Sequence, residues 1–214
     1  MSEDKIKKWY DEMTVDDIYE NVQIVAFNSK YADKNDVSVE CDNVPDVTFQ
    51  FRIFHSEGDK HICAHLSYAM AAHYNLDATK LFLTASLNNI QKMKYARITK
   101  FVGIKDDNCP FYVVTNDQHY YGAGVIAGIG AADALKAIVE EDEFVLLPIS
   151  IHEVIIAPIS VVDFDNKESV AELSTMVAKA NKELNDAGIM PEEHVLSDKV
   201  YIYRNGKYEV LEVA

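Results

Sequence analysis

Leu147-Pro148-Ile149-Ser150-Ile151-His152-Glu153-Val154-Ile155-Ile156-Ala157-Pro158 is two short apolar runs that meet at a polar knot. Short apolar runs bounded by turn formers read as buried strands. The stretch therefore predicts strands over 144–149 and 154–156, with the knot as their turn. Downstream, Asp165 reads as the cap of a long helix with Glu168 at its third position. Val170, Leu173, Val177, Ala180 and Leu184 mark its buried face, and Gly188 is placed to stop it. Val200 to Tyr203 and Tyr208 to Val213 then form a closing hairpin across Arg204-Asn205-Gly206-Lys207, since Asn-Gly supplies the two left-handed residues of a type I′ turn.

Upstream, the same grammar predicts a helix over 131–139, strands over 111–115 and 122–127, and a further strand over 97–104 before Asp106-Asp107-Asn108-Cys109-Pro110. Asp77 caps a helix whose Leu83, Leu87 and Ile90 share one face, and a short helix near 68–74 precedes it. Val47 to Ile53 and Ile62 to Leu66 form a hairpin about Ser56-Glu57-Gly58-Asp59, and Val37, Val39 and Cys41 alternate as a short strand. Thr14, with Asp17 in a capping-box role, opens a helix over 15–27 marked by Val15, Ile18, Val22 and Val25.

Hairpin then helix thus recurs at 47–90, 111–139 and 144–185, with a last hairpin behind it. The expected class is α+β, antiparallel hairpins alternating with helices in a ββα rhythm, the helices packed on a mixed sheet. A seam near Lys92 to Tyr95 divides an N-terminal helix plus hairpin-helix subdomain, 1–92, from a C-terminal ββαββαββ subdomain, 93–214.

Composition narrows the function classes. Acidic residues outnumber basic ones 35 to 20, a formal charge of −15. Such a field repels nucleic acid and anionic membranes and favours a basic protein surface as partner. No run approaches the roughly 20 apolar residues that span a bilayer, and the polar, acidic start lacks an apolar segment of signal length. Three cysteines, Cys41, Cys63 and Cys109, at unrelated spacings fit a reducing compartment better than a disulfide framework. A cytoplasmic protein is expected.

Four constellations bear on chemistry. His152 and Glu153 at the knot, with Ser197 and Asp198 before a later strand, can be written as a Ser/His/acid set. Right-handed parallel crossovers would bring them to one end of the sheet and leave Asn116 and Gln118 at the other. Against catalysis, no nucleophile elbow flanks either serine. The alternative is that Ser150 and Asp198 bond backbone amides at turns while His152 and Glu153 tie loops together. His61, Cys63 and His65 alternate along one strand face near His55 and His73, a ligand-like period, although a zinc site needs converging ligands and none is expected. Gly122, Gly124, Gly128 and Gly130 precede a helix, where phosphates bind, but fit neither the dinucleotide fingerprint nor a P-loop, and no cofactor is expected. Glu140-Glu141-Asp142-Glu143 places four acids at a helix end, either a solvated turn or a patch for a basic partner.

Phe111-Tyr112-Val113-Val114-Thr115-Asn116 with Gln118, Gly122 and Ala123, then Leu147-Pro148 through Ser150-Ile151-His152-Glu153-Val154, then Val195-Leu196-Ser197-Asp198 with Val200, Tyr201 and Tyr203, form three ordered blocks. Through them the chain resembles an uncharacterised family of unknown function widespread in clostridia and related Gram-positive bacteria, over about 110–204 and more weakly back to 44. The resemblance implies a domain type without a mechanism, and the family pattern has no histidines matching His61 or His65. The expected function is non-enzymatic binding of another macromolecule, with Asn116, Gln118 and Glu140 to Glu143 as candidate binding residues. A hydrolase centred on His152, Glu153, Ser197 and Asp198 is one alternative. An acidic nucleic-acid-mimicking inhibitor from a mobile element, acting in counter-defence or toxin neutralisation, is the other.

Overall fold

The structure is a computed structural model, and it describes residues 3–39, 44–57, 60–103, 106 and 108–212. Cys41, the Gly58-Asp59 part of the first hairpin turn, Ile104, Asp107 and Val213 lie outside the described residues. Helices α1 (Glu3–Glu12) and α2 (Val15–Asn21) lead into strand β1 (Val22–Asn28). Thr14 and Asp17 close the expected capping box on α2. The helix expected over 15–27 therefore ends at Asn21, and the rest is strand. Val22, Ile24 and Val25 are β-branched and Val22 to Phe27 are all buried, a demand that a strand covered on both faces meets. The helical spacing of Val15, Ile18, Val22 and Val25 is a coincidence of two periods.

β1 pairs antiparallel with β3 (Val47–Glu57), Val22 opposite Ile53 and Asn28 opposite Val47. Along the other edge of β3 lie β2 (Ser38–Val39) and, in the expected hairpin, β4 (Lys60–His65). Helix α3 (Tyr68–His73) follows, and then α4 (Ala78–Lys92), capped by Asp77 as expected. α4 runs directly into β5 (Met93–Arg97), the edge of a six-stranded sheet of order β10-β9-β7-β8-β6-β5. Its other members are β6 (Tyr112–Asn116), β7 (Phe144–Leu147), β8 (Val154–Pro158), β9 (Tyr201–Arg204) and β10 (Lys207–Val210). Every ladder among the described residues is antiparallel, so the expected mixed sheet is corrected.

Two more expectations change. Past Arg97 the chain turns into the short helix α5 (Thr99–Val102) instead of continuing as a strand. Gly122–Ile126 is a buried 3-10 helix instead of a strand, and a Cβ at Gly124 would overlap the Ile24 carbonyl and one at Gly122 the Thr115 hydroxyl. Only glycine lets that segment sit so close to β6 at 122 and to β1 at 124.

α6 (Ala131–Val139) matches its predicted bounds. α7 (Lys167–Asp186) is capped by Asn166, one residue after the expected Asp165, its Oδ1 accepting from the Glu168 and Ser169 amides at 3.1 and 3.2 Å. β7 shows why the opening stretch is apolar at every position. Phe144 and Leu146 join a core shared with β1, β3, α4 and α6, whereas Val145 and Leu147 join a second cluster with Val170 and Val177 of α7. A strand covered on both faces cannot alternate with polar residues. The larger core runs from Met13 to Tyr208 and draws on residues on both sides of Lys92.

α4 is turned opposite to its apolar pattern. Leu83 and Leu87 are 49% and 53% exposed, and Leu81, Ala85, Ser86, Asn88 and Asn89 face inward. The cause is β1, which is an edge strand with unpaired backbone groups. Asn89 Oδ1 accepts the Ile24 N–H at 3.0 Å, and its Nδ2 donates to the Ile24 and Gly124 carbonyls at 2.9 and 2.8 Å. Asn88 Nδ2 donates to the carbonyls of Tyr19, Glu20 and Val22, closing the end of α2. Two side-chain amides do the work of a missing strand.

Candidate functional site

Ser150 builds the knot by accepting the His152 and Glu153 amides on Oγ, both at 3.1 Å. Against it lies the approach to β9. The Ser197 N–H donates to the Pro148 carbonyl at 3.1 Å, Ser150 bridges Val195, and the Ile151 N–H donates to the His194 carbonyl at 2.9 Å. This antiparallel run puts His194 beside His152 and Ser197 three residues away, at Pro148.

Because β6 and β8 are antiparallel, with Val114 opposite Val154, the end of β6 also arrives at His152. The expectation that Asn116 and Gln118 lie at the far end is corrected, since it assumed parallel crossovers. Asn116 is buried and shapes the loop. Its Oδ1 accepts the Gln118 and Tyr120 amides at 3.2 and 3.3 Å, and its Nδ2 donates to the Tyr120 carbonyl at 3.0 Å. Gln118 Nε2 donates to Ser56 Oγ at 3.1 Å. The loop carries Tyr120 onto the His152 ring, stacked at 5.2 Å, and the Tyr121 N–H to His152 Nδ1 at 3.2 Å.

Those contacts determine the tautomer. A backbone N–H can only donate, so Nδ1 of His152 is a lone pair and the neutral ring carries its proton on Nε2. That proton faces His194 Nδ1 at 3.2 Å. Burial, and then His194, hold the His152 pKa down at about 4. Both ring nitrogens are engaged, so the imidazole braces three segments and offers neither a base nor a metal ligand unless one bond is given up.

Ser197 is 2% exposed. The Tyr201 hydroxyl donates to the Pro45 carbonyl at 2.6 Å, so the 3.0 Å contact between the two hydroxyls is a donation from Ser197 to Tyr201. Ser197 Oγ accepts the Lys199 N–H, while Asp198 is exposed and takes the Asn181 amide at 2.9 Å. The geometry thus brings His152 and Glu153 together but not to the Ser197 hydroxyl. The residues that do meet the His152 ring, namely Tyr120, Tyr121 and His194, carry no motif spacing.

The acidic run follows the end of α6, with Glu140 at φ 60°. Glu141 accepts from the Ser160 hydroxyl and amide at 2.5 and 3.2 Å, and the Glu143 carbonyl accepts the Ile159 N–H at 3.3 Å. On β4, alternate residues are about 7 Å apart, so His61 and His65 lie about 13 Å apart and do not converge with Cys63 on one ion. His61 Nδ1 contacts Ser56 Oγ at 2.8 Å, burial pushes the Cys63 thiol up to about 12, and His65 turns to Asp36.

A model of the family of unknown function DUF5688 matches residues 38–205. The chain belongs to DUF5688. No curated protein and no solved structure matches it. The matched span of this DUF5688 member holds the knot, the Asn116 loop and the His194 segment, and begins beyond β1. Among the described residues no helix is long and apolar enough to cross a membrane.

Proposed function

We propose that this DUF5688 member is a non-enzymatic cytoplasmic protein that binds a basic surface of another protein at its acidic end. The observation that carries the reading is the bonding of Glu141 to Ser160, which sets the Glu140 to Glu143 turn against the connection bearing Asp163 and Asp165 and leading to Glu168 in the first turn of α7. Glu140, Asp142, Asp163, Asp165 and Glu168 are exposed, and among them Phe164 is 50% exposed. Lys167 is the one base in the 163–168 run, so Phe164 is an exposed aromatic in a mainly acidic surround, the make-up of an anchor with an electrostatic collar. The formal charge of −15 adds long-range attraction for a cationic partner. Engagement of both His152 nitrogens and burial of Ser197 weigh against the hydrolase alternative.

The test is capture of partners from native extract, followed by titration of the identified partner in purified form. The triple variant Glu140→Lys, Asp142→Lys, Glu143→Lys leaves the Glu141 tie intact. Affinity is expected to fall at least about tenfold in the variant, and to weaken as salt rises toward 0.5 M. An unchanged affinity, or one indifferent to salt, overturns the reading. Capture by a nucleic-acid-binding protein, competed by duplex DNA, would support mimicry by the same patch.

A further inference from the structure

We propose that Asp33, Asp36 and His65 form a binding site for a divalent transition-metal cation. Their ligand atoms all lie within 4.8 Å of one another, and they are the only such trio among the described residues. They come from two places. His65 ends β4, and the 29–36 loop after β1 folds back over the same sheet face, held by donation of the Gln50 amide to the Asp33 carbonyl at 2.5 Å. The site is therefore tertiary, and only one member belongs to the strand histidines.

Each side chain is already oriented. Asp33 Oδ1 accepts the Asn35 amide and side chain at 2.9 and 3.1 Å, which turns Oδ2 to His65 Nδ1 at 3.9 Å. Asp36 is 2% exposed, and Arg52, itself buried, pins its Oδ2 at 2.5 Å. His65 Nδ1 lies 2.9 Å from that same oxygen. Two ligands at about 2.1 Å and a right angle are about 3.0 Å apart, so a cation replacing the proton between His65 and Asp36 needs little movement there. Asp33 must close by about 1 Å on His65 and by up to about 2 Å on Asp36, which a side chain 42% exposed allows, and the 59% exposed His65 side chain leaves room for water ligands.

Charge sets the class. Two carboxylates less one guanidinium leave a net charge of −1, and a buried Arg beside a ligating carboxylate acts as an orienting outer partner. A divalent ion gains from this where a monovalent one gains little. One imidazole with two carboxylates suits zinc, cobalt or manganese better than calcium, which takes oxygen ligands alone.

The experiment is calorimetric titration of the full chain with Zn²⁺, and with Co²⁺ followed by its visible spectrum. One equivalent is expected to bind in the micromolar range. Asp33→Asn, which keeps the backbone bond to Gln50, and His65→Ala should each weaken it at least about tenfold. His61→Ala and Cys63→Ser should leave it unchanged. Far-UV circular dichroism and metal-free melting identify any variant that unfolds, and Asp33→Asn decides the matter if His65→Ala disturbs the Asp36 pair. Absence of binding at about 100 µM metal overturns the site. So does binding that Asp33→Asn leaves intact or that His61→Ala abolishes.

Discussion

Replacing Asn89 by Ala tests the claim that a side-chain amide closes the edge of the first sheet. The substitution deletes three bonds of 3.0, 2.9 and 2.8 Å at a residue 2% exposed. The Ile24 N–H then has no partner, at about 1–3 kcal/mol, and two carbonyls lose a donor at about 1 kcal/mol each. Ala returns up to about 0.7 kcal/mol of helix propensity. The net expectation is a loss of about 2–4 kcal/mol, against total stabilities of about 5–15 kcal/mol for ordinary domains. Leu87→Ala on the same helix removes a side chain 53% exposed and should cost under about 1 kcal/mol. Guanidinium denaturation followed by circular dichroism supplies both values, read from midpoints at constant slope. A hydropathy reading of α4 predicts the reverse order. If Leu87→Ala costs more than Asn89→Ala, the edge-closure argument fails. Asn89→Asp is a sharper companion, because it removes the donor to both carbonyls and buries a charge, and it should cost at least as much as Ala.

Two further outcomes follow from the packing at the knot and against β1. His152 titrates at about 4 in the fold against an ordinary value near 6.5, so between those pH values the unfolded chain holds more protons and stability falls as pH falls. The full shift equals about 3 kcal/mol, and screening at a half-buried ring brings it to about 1–2 kcal/mol. Midpoints measured from pH 7 to pH 4 should show that slope in the natural protein and lose it in His152→Leu. Equal slopes would remove His152 as the source. Gly124→Ala should cost about 3 kcal/mol or more, because its Cβ meets the Ile24 carbonyl, which is backbone and cannot yield; a variant that melts within a degree or two of the parent contradicts that placement.

Where local chemistry decides an element, the sequence was legible. The Thr14 to Asp17 box, the Asp77 cap, the Asn205-Gly206 turn with both residues at positive φ and the β7–β8 hairpin all appear where their residues place them. The misreadings share one cause, which is that burial on a second side is a tertiary fact. β1 is apolar at five of the six positions from Val22 to Phe27 only because α4 and the 122–126 segment cover it, so its pattern satisfied a helical period as well. The outward leucines of α4 are explained by an edge strand about 65 residues earlier, which no periodicity within α4 records. The knot was visible as a turn. Its neighbours were not, because the antiparallel placement of β6 beside β8 decides that Tyr120 and Tyr121 reach His152, whereas Ser197 follows its own ladder to Pro148.

Edge closure by Asn89 also has a temporal side. β1 is synthesised 65 residues before the amide that satisfies Ile24, and Gly124 follows 35 residues after that. At about 5–20 residues per second, the strand leaves the ribosome several seconds before its outer edge has a partner. For that interval Val22 to Phe27, apolar but for Gln23, is a strand with open hydrogen-bonding groups, the kind of segment that recruits chaperones or other nascent chains. The yield of this protein in a cell is thus tied to how soon α4 arrives. Slowing translation between codons 28 and 89 should lower its soluble fraction without changing a single residue.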